Sequence, residues 1–289
     1  MRIGALEAGG TKMVMGVFDD EGRLLERMTT PTRTPDKTIP EIISFFREKQ
    51  IDSLGIGTFG PVNLRRESNG YGTITSTPKL DWRNFPLLKR MELELQVPTA
   101  IDTDVNAAAL AEARMGAARG CSSAVYVTVG TGIGAGVYIN GQTVHGLMHP
   151  EVGHMLLKPH PNDPQPQGFC PYHTSCLEGL ASGPAIAKRA GQSADKLTDD
   201  DPAFTLEAYY LGQMCANLIM TLSPEKIIIG GGVLQRNFLM DMVRRETVRL
   251  LGGYIQATEI TTRIEEYIVL PELYPISGLI GAFMLGKNA

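Results

Sequence analysis

The stretch Ala5–Phe18, "ALEAGGTKMVMGVF", sets the architecture. Apolar runs at Ile3–Leu6 and Met13–Phe18 flank a glycine-bearing break, the pattern of two strands joined by a tight turn. Val127–Ile139, "VTVGTGIGAGVYI", repeats the unit about 120 residues later. Each copy opens a segment in which strand and helix patterns alternate, which predicts an α/β chain. Two similar halves, each with a glycine hairpin facing a shared cleft, would suit a nucleotide held between them.

Around the first copy, Leu24–Met28 continues as a strand. Thr38 and Glu41 have capping-box spacing ahead of "IISFF", predicting a helix that starts there and runs to about Lys49. "SLGIGTFGPV" predicts a buried strand and "FPLLKRMELEL" a helix. "TAIDTDVNAAALAEARMGAA" predicts a short strand, a polar break and an alanine-rich helix. Past the second copy, a Pro-rich segment reaches about Cys176. Helical patterns then cover Ser182–Ala190, Thr205–Leu222 and Asn237–Leu250, with "KIIIGGG" as a buried strand and "PISGLIGAFMLG" as a last helix. The expected division is an N-terminal lobe of residues 1–117, with 277–289 packing back on it, and a second lobe of residues 118–276.

The bulk properties exclude several classes. A chain of 289 residues with 43% hydrophobic residues can bury a real core, and its net charge of −4 offers no basic face for nucleic acid. No apolar run reaches the roughly 18 residues of a spanning helix, and "MRIGALEAGG" lacks a secretory apolar region, so a cytoplasmic protein is expected. Its four cysteines should then be reduced, which favours metal binding or catalysis over disulfides.

Three glycine turns could receive phosphate: "AGGTK" (Ala8–Lys12), "GTGIGAG" (Gly130–Gly136) and "IGGGV" (Ile229–Val233). Glycine lets backbone approach a ligand, and successive free N–H groups form an anion nest. None is a Walker A loop, and "GTGIGAG" lies between strands, unlike a dinucleotide turn. Gly10, Thr11, Thr131 and Gly132 would meet phosphate oxygens, and Gly231–Gly232 would let adenosine lie on bare backbone. Lys12 would add a positive charge, or is simply a solvated lysine at a hairpin tip.

"IDTDVNAAAL" places Asp102 and Asp104 at a helix start. Aspartate is an ordinary N-cap there. It is also well placed to accept a proton from a hydroxyl attacking phosphorus, since phosphoryl transfer otherwise needs mainly positioning and charge neutralisation by the glycine nests and Mg²⁺. Asp104, directly at the helix start, is the preferred base.

"CPYHTSC" spans Cys170–Cys176. Cys170, His173 and Cys176, with His154 or His160 as a fourth ligand, suit a tetrahedral zinc, and four filled positions make such a site structural. A Cys170–Cys176 disulfide and a metal-free polar loop are the alternatives. His154 is favoured because Glu151 lies three residues before it and Glu178 two after Cys176. A metal joining these segments would bring both carboxylates together, as a hydroxyl-rich sugar needs.

These motifs resemble the ROK sugar kinases from end to end, most densely over Val127–His154. "EAGGTK" is similar to the family's first phosphate loop, and "DVNAAAL" to its catalytic-base helix, with Asp104 in the base position. "CPYHTSCLE" departs from the usual three-cysteine motif by carrying His173, and with "STPKLDW" it resembles the bacterial fructokinase branch. Thr103 stands where many relatives have Asn. The resemblance implies an actin-like (ribonuclease H-like) two-lobed ATPase fold with a structural zinc, Mg-ATP as donor, fructose as acceptor and a dimer. It also implies sugar contacts by Glu151, His154 and Glu178, and ATP contacts near Thr131, Pro184, Gly231, Gly232 and Val233. Kinases for mannose, glucose or N-acetylmannosamine, and a sugar sensor without catalysis, are the alternatives.

Overall fold

The computed structural model describes all residues, Met1–Ala289. The chain forms two compact units. The first contains residues 1–120, 136–150 and 273–289. Its sheet has the order β3-β2-β1-β4-β5, built from β1 (Ile3–Ala8), β2 (Lys12–Phe18), β3 (Leu24–Pro31), β4 (Ser53–Thr58) and β5 (Thr99–Thr103). β1 and β2 form the antiparallel hairpin that Ala5–Phe18 predicts, and β1, β4 and β5 run parallel.

Side chains alternate across a strand, and both faces of this one are covered. Leu6, Ala8, Met13 and Met15 join Ile42, Phe46 and Trp82 in one core. Ile3, Ala5, Val14 and Phe18 pack with Leu279 and Phe283 on the other side. The continuous apolar runs therefore mark a buried sheet. α1 (Pro35–Lys49), α2 (Leu87–Leu95) and α3 (Asp104–Met115) complete this part of the unit. α1 begins earlier than the capping-box spacing suggests. Pro35 starts the helix after Thr34, while the Thr38 hydroxyl is buried and accepts from Arg33 N (3.0 Å), and Glu41 pairs with Arg33 and Thr30.

The second sheet has the order β10-β9-β6-β7-β8, from β6 (Ser123–Val129), β7 (Ile133–Ile139), β8 (Gln142–Thr143), β9 (Lys226–Gly230) and β10 (Ile268–Val269). Read from β8, it repeats the 3-2-1-4-5 order of the first sheet. β7 begins in one unit and ends in the other. Residues 136–150 cluster with the first unit, unlike the sequence-based boundary, because Thr143 and His145 bond to Asp102 and His149 to Val62. The second unit, residues 121–135 and 151–272, carries α4 (Leu177–Ala181), α5 (Gly183–Ala190), α6 (Pro202–Leu222), α7 (Asn237–Leu251), α8 (Thr258–Thr261) and α9 (Ile264–Tyr267).

The last helix, α10 (Ser277–Lys287), belongs to the first unit and packs on β1, β4 and α3. Buried Glu112 on α3 holds its approach, accepting from Ser277 Oγ (2.7 Å) and Leu273 N (3.0 Å). No helix is long and apolar enough to cross a membrane.

Candidate functional site

In the first unit, "AGGTK" closes the β1–β2 hairpin through Gly9 N donating to Lys12 O (3.0 Å). The N–H groups of Gly10 and Thr11 donate to no protein acceptor, and Thr11 and Lys12 are exposed. These are the free donors an anion nest requires. Glu7, just before the turn, was not among the residues the sequence singled out. Burial, then the charge of Asp104, push its carboxyl up to about 7, against the pull of Lys12. A charged residue inside a strand otherwise buried on both faces was the available signal.

Asp104 is the first residue of α3, behind Thr103, whose hydroxyl caps the helix by accepting from Asn106 N (3.0 Å). Threonine thus does the work of an N-cap. The Asp104 carboxyl accepts from Val105 N (2.9 Å), yet burial outweighs this and raises it to about 6. Asp102 is not a cap. It is 2% exposed and accepts from Thr103 N, Asn106 Nδ2, Thr143 Oγ1 and His145 Nε2.

In the second unit, three sequence segments converge. Gly130 O accepts from Gly183 N (2.8 Å), which brings the "GTGIG" turn onto the start of α5 beside Pro184. Gly231 has φ +98° and lies against Val129, and Val233 adjoins Gly183, so a side chain on Gly231 would be both strained and obstructed. Thr131, Gly132, Pro184 and Gly231–Val233 are therefore neighbours. Gly132 is required by Glu178: a Cβ there would stand 2.7 Å from Glu178 Oε2, which accepts from Ile133 N (2.9 Å).

His154, Cys170, His173 and Cys176 come together with all ligand atoms within 4.8 Å of one another. Leu157 N–Ser175 O and Leu177 N–Met155 O bonds zip residues 155–157 to 175–177 and so bring His154 to Cys176. The Cys170 Sγ–His154 Nδ1, Cys170 Sγ–His173 Nδ1 and Cys176 Sγ–His154 Nδ1 separations are 3.9, 3.7 and 3.8 Å. A tetrahedron with zinc's usual bond lengths has edges of about 3.6 Å, so the donor set fits that ion. Burial pushes the Cys176 thiol up to about 11, so a thiolate there needs a cation. No disulfide joins Cys170 and Cys176. His160 stays outside the cluster, its Nδ1 accepting from Asn162 N and its ring edge-on to Tyr209.

The Pro-rich loop is anchored independently. Asp163, 6% exposed, accepts from Arg189 Nε (3.0 Å) and from Tyr210 OH (2.5 Å).

The model of the ROK family matches residues 3–289. The chain belongs to the ROK family. A Bacillus subtilis protein with a provisional fructokinase name is 44% identical over 287 residues, covering 99% of this chain and 96% of that protein. A fructokinase of Zymomonas mobilis is 40% identical, with 99% and 96% covered. Among solved structures, a ROK family glucokinase from Streptomyces griseus in complex with glucose and AMPPNP covers all of both chains with a TM-score of 0.80 at 25% identity. A ROK hexokinase from Thermus thermophilus gives 0.79 at 28%, over 100% of this ROK chain and 98% of the other.

Proposed function

We propose that this ROK protein is a fructokinase, transferring the terminal phosphoryl group of ATP to fructose to give fructose 6-phosphate. The carrying observation is full-length similarity at 38–44% to fructokinases from several bacteria. The repeated 3-2-1-4-5 sheet order supports the finer reading of an actin-like (ribonuclease H-like) two-lobed ATPase fold.

Asp104 is the proposed general base. Its raised carboxyl lies near the working range, where a base is most effective. Gly10, Thr11 and Lys12 are assigned to phosphate, supported by two free N–H groups and a cation at the turn. Thr131, Gly132, Pro184 and Gly231–Val233 are assigned to the nucleotide, supported by their convergence in one unit. Glu151, His154 and Glu178 are assigned to the sugar. His154 can serve twice, since its Nδ1 faces the two thiols and leaves Nε2 for a hydroxyl.

The bound metal would be zinc, held by His154, Cys170, His173 and Cys176; its chemistry here is to fix the loop. Mg²⁺ enters with ATP. Family resemblance extends the proposal to a cytoplasmic homodimer, with a solution mass roughly twice 31.4 kDa. The test is ADP release with ATP across common hexoses. Fructose should give the highest kcat/KM; a higher value for glucose or mannose overturns the assignment.

A further inference from the structure

We propose that His145 is a positioning residue for the catalytic base: by holding Asp102 it fixes the first turn of α3 and so the aim of Asp104. The inference rests on the reading of Asp104 as base.

Asp102 is the link. Thr103 N (2.7 Å) and Asn106 Nδ2 (2.8 Å) reach it from the corner between β5 and α3. Thr143 Oγ1 (2.9 Å) and His145 Nε2 (3.0 Å to each oxygen) reach it from the segment beginning at β8. Thr103 and Asn106 also bond to each other, so both sides of Asp104 in the chain are tied to one buried carboxylate. The Asp104 side chain itself is held only by adjoining backbone, the Val105 N–H (2.9 Å) and its own N–H. Its direction is therefore inherited from the corner that Asp102 organises.

His145 is not there to fill a core, because its side chain is 39% exposed. Its Nε2–H donates to Asp102, and its Nδ1 has no protein partner. The bond to Asp102 raises its titration above the usual imidazole value, opposed by burial and by Arg66. His149, four residues on, plays the opposite part. It is buried, burial lowers its titration, and its Nε2 accepts from Val62 N (3.1 Å). One histidine donates and the other accepts, and together they pin residues 143–150, which run directly into Glu151. The titratable and charged groups facing His145 are thus Asp102, Arg66 and His149.

The experiment compares full-length wild type, His145→Ala, His145→Gln and Asp104→Asn, measuring kcat, both KM values, Tm and the pH profile with ATP and fructose. His145→Ala should lose kcat 10- to 100-fold, with KM for ATP within two-fold and Tm within a few degrees. His145→Gln, whose amide can still donate to Asp102, should return to within five-fold of wild type. His145→Ala within two-fold of wild type, or equal loss in both variants, overturns the proposal. If His145→Ala does not fold, His145→Met, of similar size but without a donor, takes its place: a kcat equal to that of His145→Gln, or a His145→Gln kcat as low as that of Asp104→Asn, overturns it. Asp104→Asn separates the two readings. An active Asp104→Asn sinks the base assignment itself, whereas an inactive one beside an unaffected His145→Ala sinks only the positioning role.

Discussion

Asp104 and Glu7 are weak acids by placement: burial raises the first to about 6 and the second, with help from Asp104, to about 7. A base works only when ionised, so turnover should rise with pH through this range and level off above it. Because the groups interact, the apparent values belong to the pair. Asp104→Asn should lower kcat by about 10²- to 10⁴-fold while sugar binding, read by calorimetry, persists. Glu7 carries a stability cost with a definite sign. Its folded-state value lies above the ordinary 4.5, so its contribution is fully present below about 4.5 and is lost as pH rises through about 7, by up to about 3 kcal/mol. Glu7→Gln should therefore raise Tm at pH 8 and hardly change it at pH 4.5. An equal shift at both pH values would show that the carboxyl's charge is not the source of the cost.

Glu178 on α4 ties together the Gly130–Gly136 turn, proposed above to hold nucleotide, and the sulfur–nitrogen cluster, since it lies two residues after Cys176 and accepts from Ile133 N. Gly132→Ala would place a methyl against that carboxylate and should raise KM for ATP about 10-fold while the exposed turn lets the fold persist, as circular dichroism would show. The Pro-rich loop has its second anchor in Asp163. Tyr210→Phe leaves that buried carboxylate short of a donor and should cost about 1–3 kcal/mol in chemical unfolding. Elements of this kind were legible where the signal is local. The β1–β2 hairpin, α3 with Asp104 and the Cys170–Cys176 spacing all declare themselves within about twenty residues. The grip of His145 on Asp102 did not, because the pair is separated by 43 residues and no local spacing couples them. The start of α1 was misplaced because a capping-box spacing was present while Thr38 turned inward to Arg33 N.

At the scale of the whole chain, one sheet order occurs twice, and the glycine hairpin that announces it does too. That repetition was readable because a sheet buried on both faces forces continuous apolar strands, and its first two strands, being antiparallel, need only a small turn between them. The boundary was not readable, since β7 leaves one unit for the other without any change in composition. The sulfur–nitrogen cluster is the place where a whole unit's order can be tested. His154 and Cys176 are separated by 22 residues, of which a proline-rich run is one part. Hydrogen bonds zip the two ends and Asp163 anchors the Pro-rich part, but His173 is exposed and Cys170 only partly buried, so the Cys170–Cys176 segment is where a metal on the proposed ligands would add most order. Purified protein should carry about one zinc per chain. Stripping it with a chelator should raise KM for fructose more than KM for ATP, because Glu151, His154 and Glu178 border the loop. It should also open residues 170–175 to limited proteolysis, with both effects reversed by added zinc. Active protein free of metal, or a chelated form whose loop resists protease as well as before, would leave the cluster without the structural role given to it.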